Sequence, residues 1–435
     1  MKKALILTYY WPPSGGPGSM RILKFTRHLR EAGWESIVLT VKKGEYPFSD
    51  PDLLVQVPKD LTVHRTRCME PFTVYRWLTG SNRNRALPEG ILTFQNQSNR
   101  ERLSAWIRAN LIVPDARIGW LPFAVSQGLK ILHKEKIDLL FTSSPPHSLQ
   151  LTGLLLKKIT GIPWIADLRD PWSDIFFYTF TRRNPLTGFC DTYLQELTLK
   201  NTDHITTVSP GLAESFSHKI SKPKNHFSVL YNSFDETDFM NSVRIDQGIF
   251  RILFAGNLIE PQNPLVLFQS LADLCHHFPE MKKKLKIEFI GTIHESVLQS
   301  IQHYQLTEHF SPQPFMDRAQ ICRKMDSAAL LVGVIPKVPA NNRLISGKLF
   351  DYIGSGSPVM LIGPPQGNAA KIISNLSNGR VCDYSDTRTC SAFIQQVFNN
   401  WRYGRKQLSN FKEREPYSIS HSAQKLAGIW NRFSE

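Results

Sequence analysis

The chain has 435 residues, 41% of them hydrophobic and 11% aromatic, so it is long enough for two domains with sizeable cores. Six scattered cysteines without Cys-x-x-Cys or Cys/His spacing argue against structural zinc and fit a reducing cytosol. The formal charge of +15 favours anionic partners: nucleotide diphosphates, nucleic acid or an anionic membrane face. Nucleic acid is the weakest of the three, because zinc-finger, RNP and basic heptad patterns are absent.

The first half of the chain alternates strand and helix patterns. Short apolar runs alternate with amphipathic stretches such as Met20–Ala32, which predicts a parallel sheet covered on both faces. The predicted strands are Ala4–Thr8, Ser36–Val41, Leu61–Arg65, Ile137–Thr142, Pro163–Leu168, His204–Val208 and Phe227–Leu230. The first of them has an apolar run too short for a signal peptide, and no stretch of the chain is long enough to span a bilayer.

Residues 70–120 interrupt this alternation. They are rich in Arg, Asn and aromatic residues, and we interpret them as a variable insertion. A polar, loop-like stretch at 235–250 then predicts a domain boundary, placed between residues 240 and 241.

A glycine-rich loop follows the first strand and opens the first helix, with Gly15, Gly16 and Gly18. Glycines there let backbone amides approach an anion, or they serve a turn that needs positive φ. A dinucleotide-binding Rossmann loop is disfavoured, because its third glycine falls on Arg21. The second strand also ends in Thr40-Val-Lys-Lys43, where a ribose-binding acid would stand.

Two further polar segments follow strands of the first half, Ser143–Ser148 and Ala166–Trp172. Open α/β sheets bind ligands at the carboxyl ends of their strands. His147 in the first segment is either a ligand contact or a structural histidine. In the second segment Arg169 stays protonated and cannot act as a base, but it is able to stabilise phosphate charge or orient Asp170.

The second half repeats the strand–helix alternation. Its predicted strands are Arg251–Ala255, Lys286–Ile290, Ala328–Val334, Pro358–Ile362 and Gly379–Cys382, and helical patterns follow at Thr389–Asn399 and His421–Phe433. The segment Ser346–Val359 predicts a loop, a short helix and a strand. Ser346 is expected to cap the helix, free amides and Lys348 suit a phosphate, and Asp351 suits ribose hydroxyls. An ordinary αβ unit with a polar helix start is the alternative.

The segment Ser346–Val359 resembles the nucleotide-sugar motif of the family 4 glycosyltransferases. That motif is typically Glu, seven residues, Glu, then Gly-x-Pro-Val; Asp351 stands at the second acid and Arg343 at the first. The resemblance implies an α/β GT-B fold of two doubly wound Rossmann-like domains facing a cleft. These would be an acceptor-side domain at 1–240, a nucleotide-sugar-binding domain at 241–415 and a C-terminal helix at 416–435 that packs back on the first domain.

The same resemblance implies transfer of a sugar from a nucleotide-diphosphate-sugar donor to a lipid-linked or surface-polysaccharide acceptor, with retention. Neither a cofactor nor a metal is expected, and the polar loop Asp50-Pro-Asp52 is not taken as a metal site. The implied catalytic residues are Asp170, Arg169 and His147. The implied donor-binding residues are Gly16, Gly18, Gly256, Asn257, Arg343, Gly347, Lys348, Leu349 and Asp351.

Two departures from the family pattern keep other functions open. Arg169-Asp170 replaces the usual His-Asp pair, and no lysine follows Asn257 where relatives carry one. The alternatives are a catalytically inactive GT-B scaffold or glycan-binding subunit, and a GT-B nucleotide-sugar epimerase. We expect a cytoplasmic protein that binds the inner membrane face peripherally, because Ile175–Arg183 combines aromatic and basic residues. A loop packed on its own domain is the other interpretation of that segment.

Overall fold

The computed structural model describes residues 1–46, 49–69, 106, 110, 112–173, 183–239, 248–314, 316–405 and 407–434. The chain forms two compact units, which we call the first unit (Met1–Tyr231 and Ala423–Glu435) and the second unit (Asn232–Ser422). The predicted boundary after residue 240, most of the predicted insertion and most of the segment Ile175–Arg183 lie outside the described residues.

The first unit contains a parallel sheet in the order β3-β2-β1-β4-β5-β6-β7. Its strands are β1 (Lys2–Leu7), β2 (Trp34–Val41), β3 (Thr62–Thr66), β4 (Leu139–Ser144), β5 (Trp164–Leu168), β6 (His204–Thr207) and β7 (Phe227–Val229). The described α-helices are α1 (Pro17–Leu29), α2 (Leu121–Lys134), α3 (Ser148–Thr160), α4 (Pro185–Asn201) and α5 (Pro210–Ile220). β4 and β5 are buried over their whole length and β1 over its last four residues, as expected for strands covered by helices on both faces.

The second unit contains a parallel sheet in the order β10-β9-β8-β11-β12-β13. Its strands are β8 (Phe250–Ala255), β9 (Leu285–Ile290), β10 (Phe310–Gln313), β11 (Leu330–Val334), β12 (Val359–Ile362) and β13 (Gly379–Cys382). The described α-helices that follow α5 are α6 (Leu265–His277), α7 (Pro279–Lys284), α8 (Glu295–His303), α9 (Arg318–Ser327), α10 (Lys348–Ser355), α11 (Asn368–Ser374), α12 (Thr387–Arg402), α13 (Phe411–Arg414) and α14 (Ile419–Asn431).

These two sheets confirm the predicted fold class, α/β with two doubly wound Rossmann-like units. The strand order reverses beside β1 in the first unit and beside β8 in the second. Loops that follow the strands at such a reversal diverge and leave a crevice for a ligand. Strand β10 was not predicted, because it is short and contains Pro312, which an edge strand tolerates.

The end of α14 belongs to the first unit. Trp430 packs edge-on against Trp34 with ring centroids 5.1 Å apart, and it also contacts Phe141. The indole nitrogen of Trp34 donates a hydrogen bond of 3.1 Å to the side chain of Asn431. Residues 423–434 are thus fixed by large buried aromatic contacts within the first unit.

Candidate active site

Lys348 lies directly over Gly256 in the second unit. Gly256 follows β8 with φ of 127°, a conformation that L side chains rarely adopt, and a Cβ there would overlap the Lys348 side chain. Gly291 follows β9 with φ of 120°, and a Cβ on it would stand 2.6 Å from the Gly256 carbonyl oxygen. The two glycines therefore allow two strand ends and a lysine to approach one another closely.

The Lys348 ammonium group has no acidic partner among the described residues. Its Nζ lies 5.6 Å from the centroid of the Phe254 ring, a cation–π distance, and no hydrogen bond or ion pair to a described residue involves it. Burial lowers the pKa of Lys348, and no neighbouring charge counteracts it. A partly buried cation without a counter-ion is suited to receive an anionic ligand.

Helix α10 begins at Lys348 with Gly347 as its N-cap. The prediction that Ser346 caps this helix is wrong, because no side chain caps it and Gly347 already has helical φ and ψ. The amide of Leu349 donates to the Ser346 carbonyl at 3.1 Å, and that of Phe350 donates to the Gly347 carbonyl at 3.2 Å. These turn bonds occupy amides that we expected to face a phosphate, and among the described residues they leave the Lys348 ammonium group as the predicted phosphate contact without a hydrogen-bond partner.

Lys348 forms part of the lining of a small recess that is open to solvent. Phe254, Ser346, Leu349 and Tyr352 contribute to its lining. The Tyr352 hydroxyl accepts a hydrogen bond of 2.9 Å from the Ala255 amide, which ties α10 to the end of β8. Lys348 is thus held beside this recess by a helix that is itself fixed to the sheet.

Asp351 forms an ion pair that the sequence did not reveal. Its Oδ1 lies 2.9 Å from an Arg318 terminal nitrogen, and the same nitrogen lies 2.6 Å from Asp238. Arg318 and Asp351 are far apart in sequence and share no pattern, so no spacing signal connects them.

Two other predicted donor residues lie exposed. Asn257 accepts a hydrogen bond of 3.3 Å from the Thr292 amide, and the Arg343 carbonyl accepts one of 3.3 Å from Asn368. Gly347 is also exposed. The structure brings Gly256, Lys348 and Leu349 together, whereas no described contact links the Arg343 side chain to them.

In the first unit, Arg169 lies against Gly18 much as Lys348 lies against Gly256. A Cβ on Gly18 would stand 2.8 Å from both terminal nitrogens of Arg169. Arg169 donates to the carbonyl oxygens of Ser144 at 3.1 Å and Pro145 at 3.2 Å. The guanidinium thus joins the loops after β1, β4 and β5. Gly16 is the N-cap of α1 with φ of 94°, which accounts for a glycine there.

The two other predicted catalytic side chains differ in access. Asp170 reaches solvent and accepts no hydrogen bond from the described residues. The protein packed around it nevertheless raises the pKa of its carboxyl group by desolvation, against the opposing charge of Arg169.

His147 is 4% exposed and stacks on Trp172 with ring centroids 5.0 Å apart. Burial lowers the pKa of His147 to about 3, so the ring is neutral near pH 7. Both ring nitrogens are buried, and neither has a hydrogen-bond partner among the described residues.

A buried ion pair beneath these loops explains why Arg21 stands where a Rossmann loop has glycine. Arg21 holds Asp167 through two contacts of 3.1 Å, and Asp167 also accepts hydrogen bonds from Ser143 at 2.7 Å and Thr206 at 2.8 Å. An acid inside the buried, mostly apolar strand Trp164–Leu168 needs a cationic or hydrogen-bonding partner. The presence of Asp167 in that strand is therefore the sequence signal that indicates a buried ion pair.

No group of three or more His, Cys, Asp or Glu side chains in the described ranges is arranged to hold a metal ion. Among the helices that the structure describes, none is both long and apolar enough to cross a membrane.

Residues 91–238 match the family model described as Glycosyltransferase Family 4. A sequence comparison with curated proteins finds no match. Among solved structures, sucrose-phosphate synthase from Thermosynechococcus elongatus is similar with a TM-score of 0.61 and 12% identity, over 99% of each chain.

Anabaena HepE, solved in complex with UDP, gives a TM-score of 0.62 and 12% identity over 99% of this chain and 100% of the other. TarM gives a TM-score of 0.62 and 10% identity over 99% of each chain. At such identities the structural likeness shows the fold, and the family match covers the segment that carries Arg169 and Asp170. The two sheets and the structural likeness thus show the GT-B fold, and the match of residues 91–238 shows a glycosyltransferase domain resembling family 4.

Proposed function

We propose that this protein transfers a sugar from a nucleotide-diphosphate-sugar donor to a lipid-linked or surface-polysaccharide acceptor, with retention of configuration at the anomeric carbon. The observation that carries the proposal is the Lys348 ammonium group, which lies over Gly256 beside a small recess and has no acidic partner among the described residues. The complex of the similar HepE structure with UDP supports a nucleotide diphosphate as the anion.

The chemistry follows from charge. When the glycosidic bond to the diphosphate breaks, negative charge develops on the leaving group, and a fixed cation stabilises it in the transition state. In the second unit, we assign this role to Lys348. Its ammonium group would donate a charge-assisted hydrogen bond to the diphosphate.

Asp170 is the carboxylate that the first unit offers to the reaction. It is exposed just after β5, where open α/β sheets bind ligands. Arg169 is used by two backbone carbonyls, and the ring nitrogens of His147 are buried. We therefore assign Arg169 to positioning the loops and His147 to packing. Asp170 remains the proposed catalytic carboxylate.

Calorimetric titration with ADP, CDP, GDP and UDP tests the donor site. Lys348→Met keeps the apolar stem and removes the charge, and we expect it to weaken nucleotide binding by about 10- to 100-fold, since a hydrogen bond to a charged group contributes about 1.5–3 kcal/mol. Lys371→Met, an exposed lysine on α11, is the matched control and should bind like the wild type. Equal affinities of Lys348→Met and the wild type would refute the assignment.

A turnover assay separates the enzyme from an inactive scaffold or glycan-binding subunit. Arg169 donates its hydrogen bonds to backbone carbonyls, so it does not take over the role of the histidine in the family's His-Asp pair. This observation favours the inactive alternative. Nucleotide binding without transfer or donor hydrolysis would support that alternative. Conversion of the donor into an epimer, without transfer, would instead identify an epimerase.

We also propose peripheral binding to an anionic bilayer through the first unit. That unit contains 32 Lys and Arg against 20 Asp and Glu, a formal charge of +12, whereas the second unit has 20 against 17, a charge of +3. Helix α4 exposes an apolar stripe with i, i+3, i+7 spacing: Leu186 (72% exposed), Phe189 (69%) and Tyr193 (57%). Apolar insertion combined with a basic surface is the usual basis of reversible membrane binding.

Vesicle co-sedimentation tests this surface. Binding should rise with the fraction of anionic lipid, fall with salt, and weaken when Leu186, Phe189 and Tyr193 are all replaced by Ser. The matched control replaces Tyr403, Leu408 and Phe411, which are also exposed but belong to the second unit. Undiminished binding of the α4 variant would exclude this stripe, and absence of wild-type binding at low salt would exclude membrane association through it.

A further inference from the structure

We infer that Arg318 is a positioning residue of the donor site, which holds the Asp351 carboxylate ready for the ribose hydroxyls of the nucleotide. This inference rests on the proposed donor site at Lys348. It adds a residue that no sequence pattern indicated and a stated role for it.

Arg318 is the first residue of α9 and holds two carboxylates at once. Its Nε and one terminal nitrogen contact Asp238 at 2.9 and 2.6 Å, and the same terminal nitrogen contacts Asp351 Oδ1 at 2.9 Å. Burial would lower the pKa of Arg318, but Asp351 and Asp238 raise it above its ordinary value, so the guanidinium stays charged. A planar, charged fork bound on two sides has little freedom to rotate.

Asp351 has acceptor capacity left after this contact. Only its Oδ1 is engaged, no described residue donates to Oδ2, and 22% of the side chain is exposed. A carboxylate oxygen can accept more than one hydrogen bond, so adjacent hydroxyls of a ribose are suitable donors. Asp351 lies one turn after Lys348 on α10, whose first residue faces the proposed diphosphate position.

Arg318 shares its one positive charge between two carboxylates. Asp238 takes two of the Arg318 contacts, so Arg318 does not fully neutralise Asp351, and the carboxylate remains a strong acceptor. Holding it in one orientation before the ligand arrives lowers the entropy cost of binding. Arg318 thereby contributes to affinity without touching the nucleotide.

A purely structural role is the competing explanation. The segment that carries Asp238 also packs on α10, since a Cβ on Gly354 would stand 2.6 Å from Phe239 and 2.8 Å from Phe234. Loss of Arg318 would then loosen α10 as a whole and weaken every contact of the nucleotide alike. The experiment must therefore measure a property that only the ribose hydroxyls affect.

The ratio of affinities for ribo- and 2′-deoxyribonucleotides is such a property. We propose calorimetric titration of ADP, CDP, GDP and UDP, each paired with its 2′-deoxy form, in the wild type, Arg318→Gln and Arg318→Lys. The wild type should prefer the ribo form of its nucleotide by about tenfold, the loss expected for one hydrogen bond to a charged group. Arg318→Gln should bring the ratio close to one by weakening the ribo form alone, and Arg318→Lys should restore part of it.

Arg251→Gln is the matched control, because Arg251 pairs with the buried Glu288 elsewhere in the same unit. It should leave the ratio at its wild-type value. If circular dichroism shows that Arg318→Gln does not fold, the ratio in Arg318→Lys decides. A ratio below the wild-type value supports the inference and an unchanged ratio contradicts it, since lysine keeps the charge but cannot span both acids in a fixed fork.

An Arg318 variant that weakens both forms equally, and so keeps the wild-type ratio, would overturn the inference, as would a wild type that does not discriminate. Failure of the donor site itself gives a different result. In that case no nucleoside diphosphate binds, or Lys348→Met binds as the wild type does, whatever the ribose ratio.

Discussion

Each unit places a cation on a glycine beside the strands where its sheet order reverses, but the two cations differ in what surrounds them. Arg169 lies on Gly18 and donates to two backbone carbonyls. Lys348 lies on Gly256 and has no hydrogen-bond partner among the described residues. The first cation completes the protein's own loops, whereas the second has its hydrogen-bonding capacity still available.

The choice of side chain agrees with this difference. A guanidinium presents several donors in a fixed plane and can satisfy carbonyls from adjacent residues, so it suits a structural joint. An ammonium group is a compact charge on a flexible stem and can follow a phosphate as it moves through a reaction. Position alone therefore does not identify a cation as a ligand-binding group. A cation whose hydrogen-bond donors are not used by the protein is the better candidate.

The largest effect should separate the two units by function. Asp170→Asn removes the proposed catalytic carboxylate of the first unit, and we expect turnover to fall by about 10²- to 10⁴-fold, the usual contribution of a positioned acid or base. Nucleotide binding should stay at the wild-type level, because Lys348 belongs to the other unit. Calorimetry and a transfer assay on the same preparation measure both.

Lys348→Met is the complementary variant, because we expect it to weaken nucleotide binding, which Asp170→Asn should leave unchanged. If Asp170→Asn retains its turnover, or loses nucleotide affinity as well, the division of labour between the units is refuted.

The two glycines should respond unequally to a methyl group. Gly256→Ala combines a positive φ with overlap on the Lys348 side chain, and we expect a loss of about 1–3 kcal/mol in unfolding free energy together with weaker nucleotide binding. Gly18→Ala carries no positive φ and only displaces the Arg169 guanidinium from its carbonyl partners, so a smaller loss of about 1 kcal/mol and unchanged nucleotide binding are expected. Denaturant unfolding and calorimetry measure the two quantities. Equal losses in the two variants would contradict the comparison.

The sequence predicted the fold better than it predicted the site. Apolar runs such as Leu5–Leu7 and Val359–Ile362 identify buried parallel strands, because helices on both faces require apolar residues throughout. Lys348 was predicted as a phosphate contact from local spacing around one helix start, and that role stays a prediction. Arg318 was missed, because its partners Asp238 and Asp351 are joined to it only by the folded chain.

A third prediction concerns acid, which should affect the first unit through histidines that its fold keeps neutral. Burial lowers the pKa of His147 to about 3 and of His204 and His226 to about 4. Arg432 and His226 also disfavour charge on His204, and Lys222 does so on His226 while Asp203 opposes this. Each folded pKa is below the unfolded value near 6.5, so the unfolded state binds more protons between pH 6.5 and 4.

Stability should therefore be complete above about pH 6.5 and fall as the pH decreases towards 4, by about 1.4 kcal/mol per histidine for each pH unit at most. Partly exposed His226 should contribute less than buried His204. Hydrogen exchange at pH 7 and pH 5, corrected for intrinsic rates, should show loss of protection in β6 and β7. His204→Asn should reduce that loss, and equal pH dependence in this variant and the wild type would contradict the assignment.

The smallest effect is expected from a chelator, and it tests what the lone lysine is for. A diphosphate leaving group needs positive charge, which many enzymes obtain from a divalent ion. No group of three or more described His, Cys, Asp or Glu side chains is arranged to hold such an ion, whereas Lys348 has no hydrogen-bond partner among the same residues. Excess EDTA should therefore leave nucleotide affinity and turnover unchanged in the wild type.

Measuring Lys348→Met with and without Mg²⁺ sharpens the test, because a metal that carried the charge would rescue the variant. Loss of wild-type activity in EDTA, restored by Mg²⁺ or Mn²⁺, would mean that the ion neutralises the diphosphate, and the contrast between Lys348 and Arg169 would then lose its functional meaning.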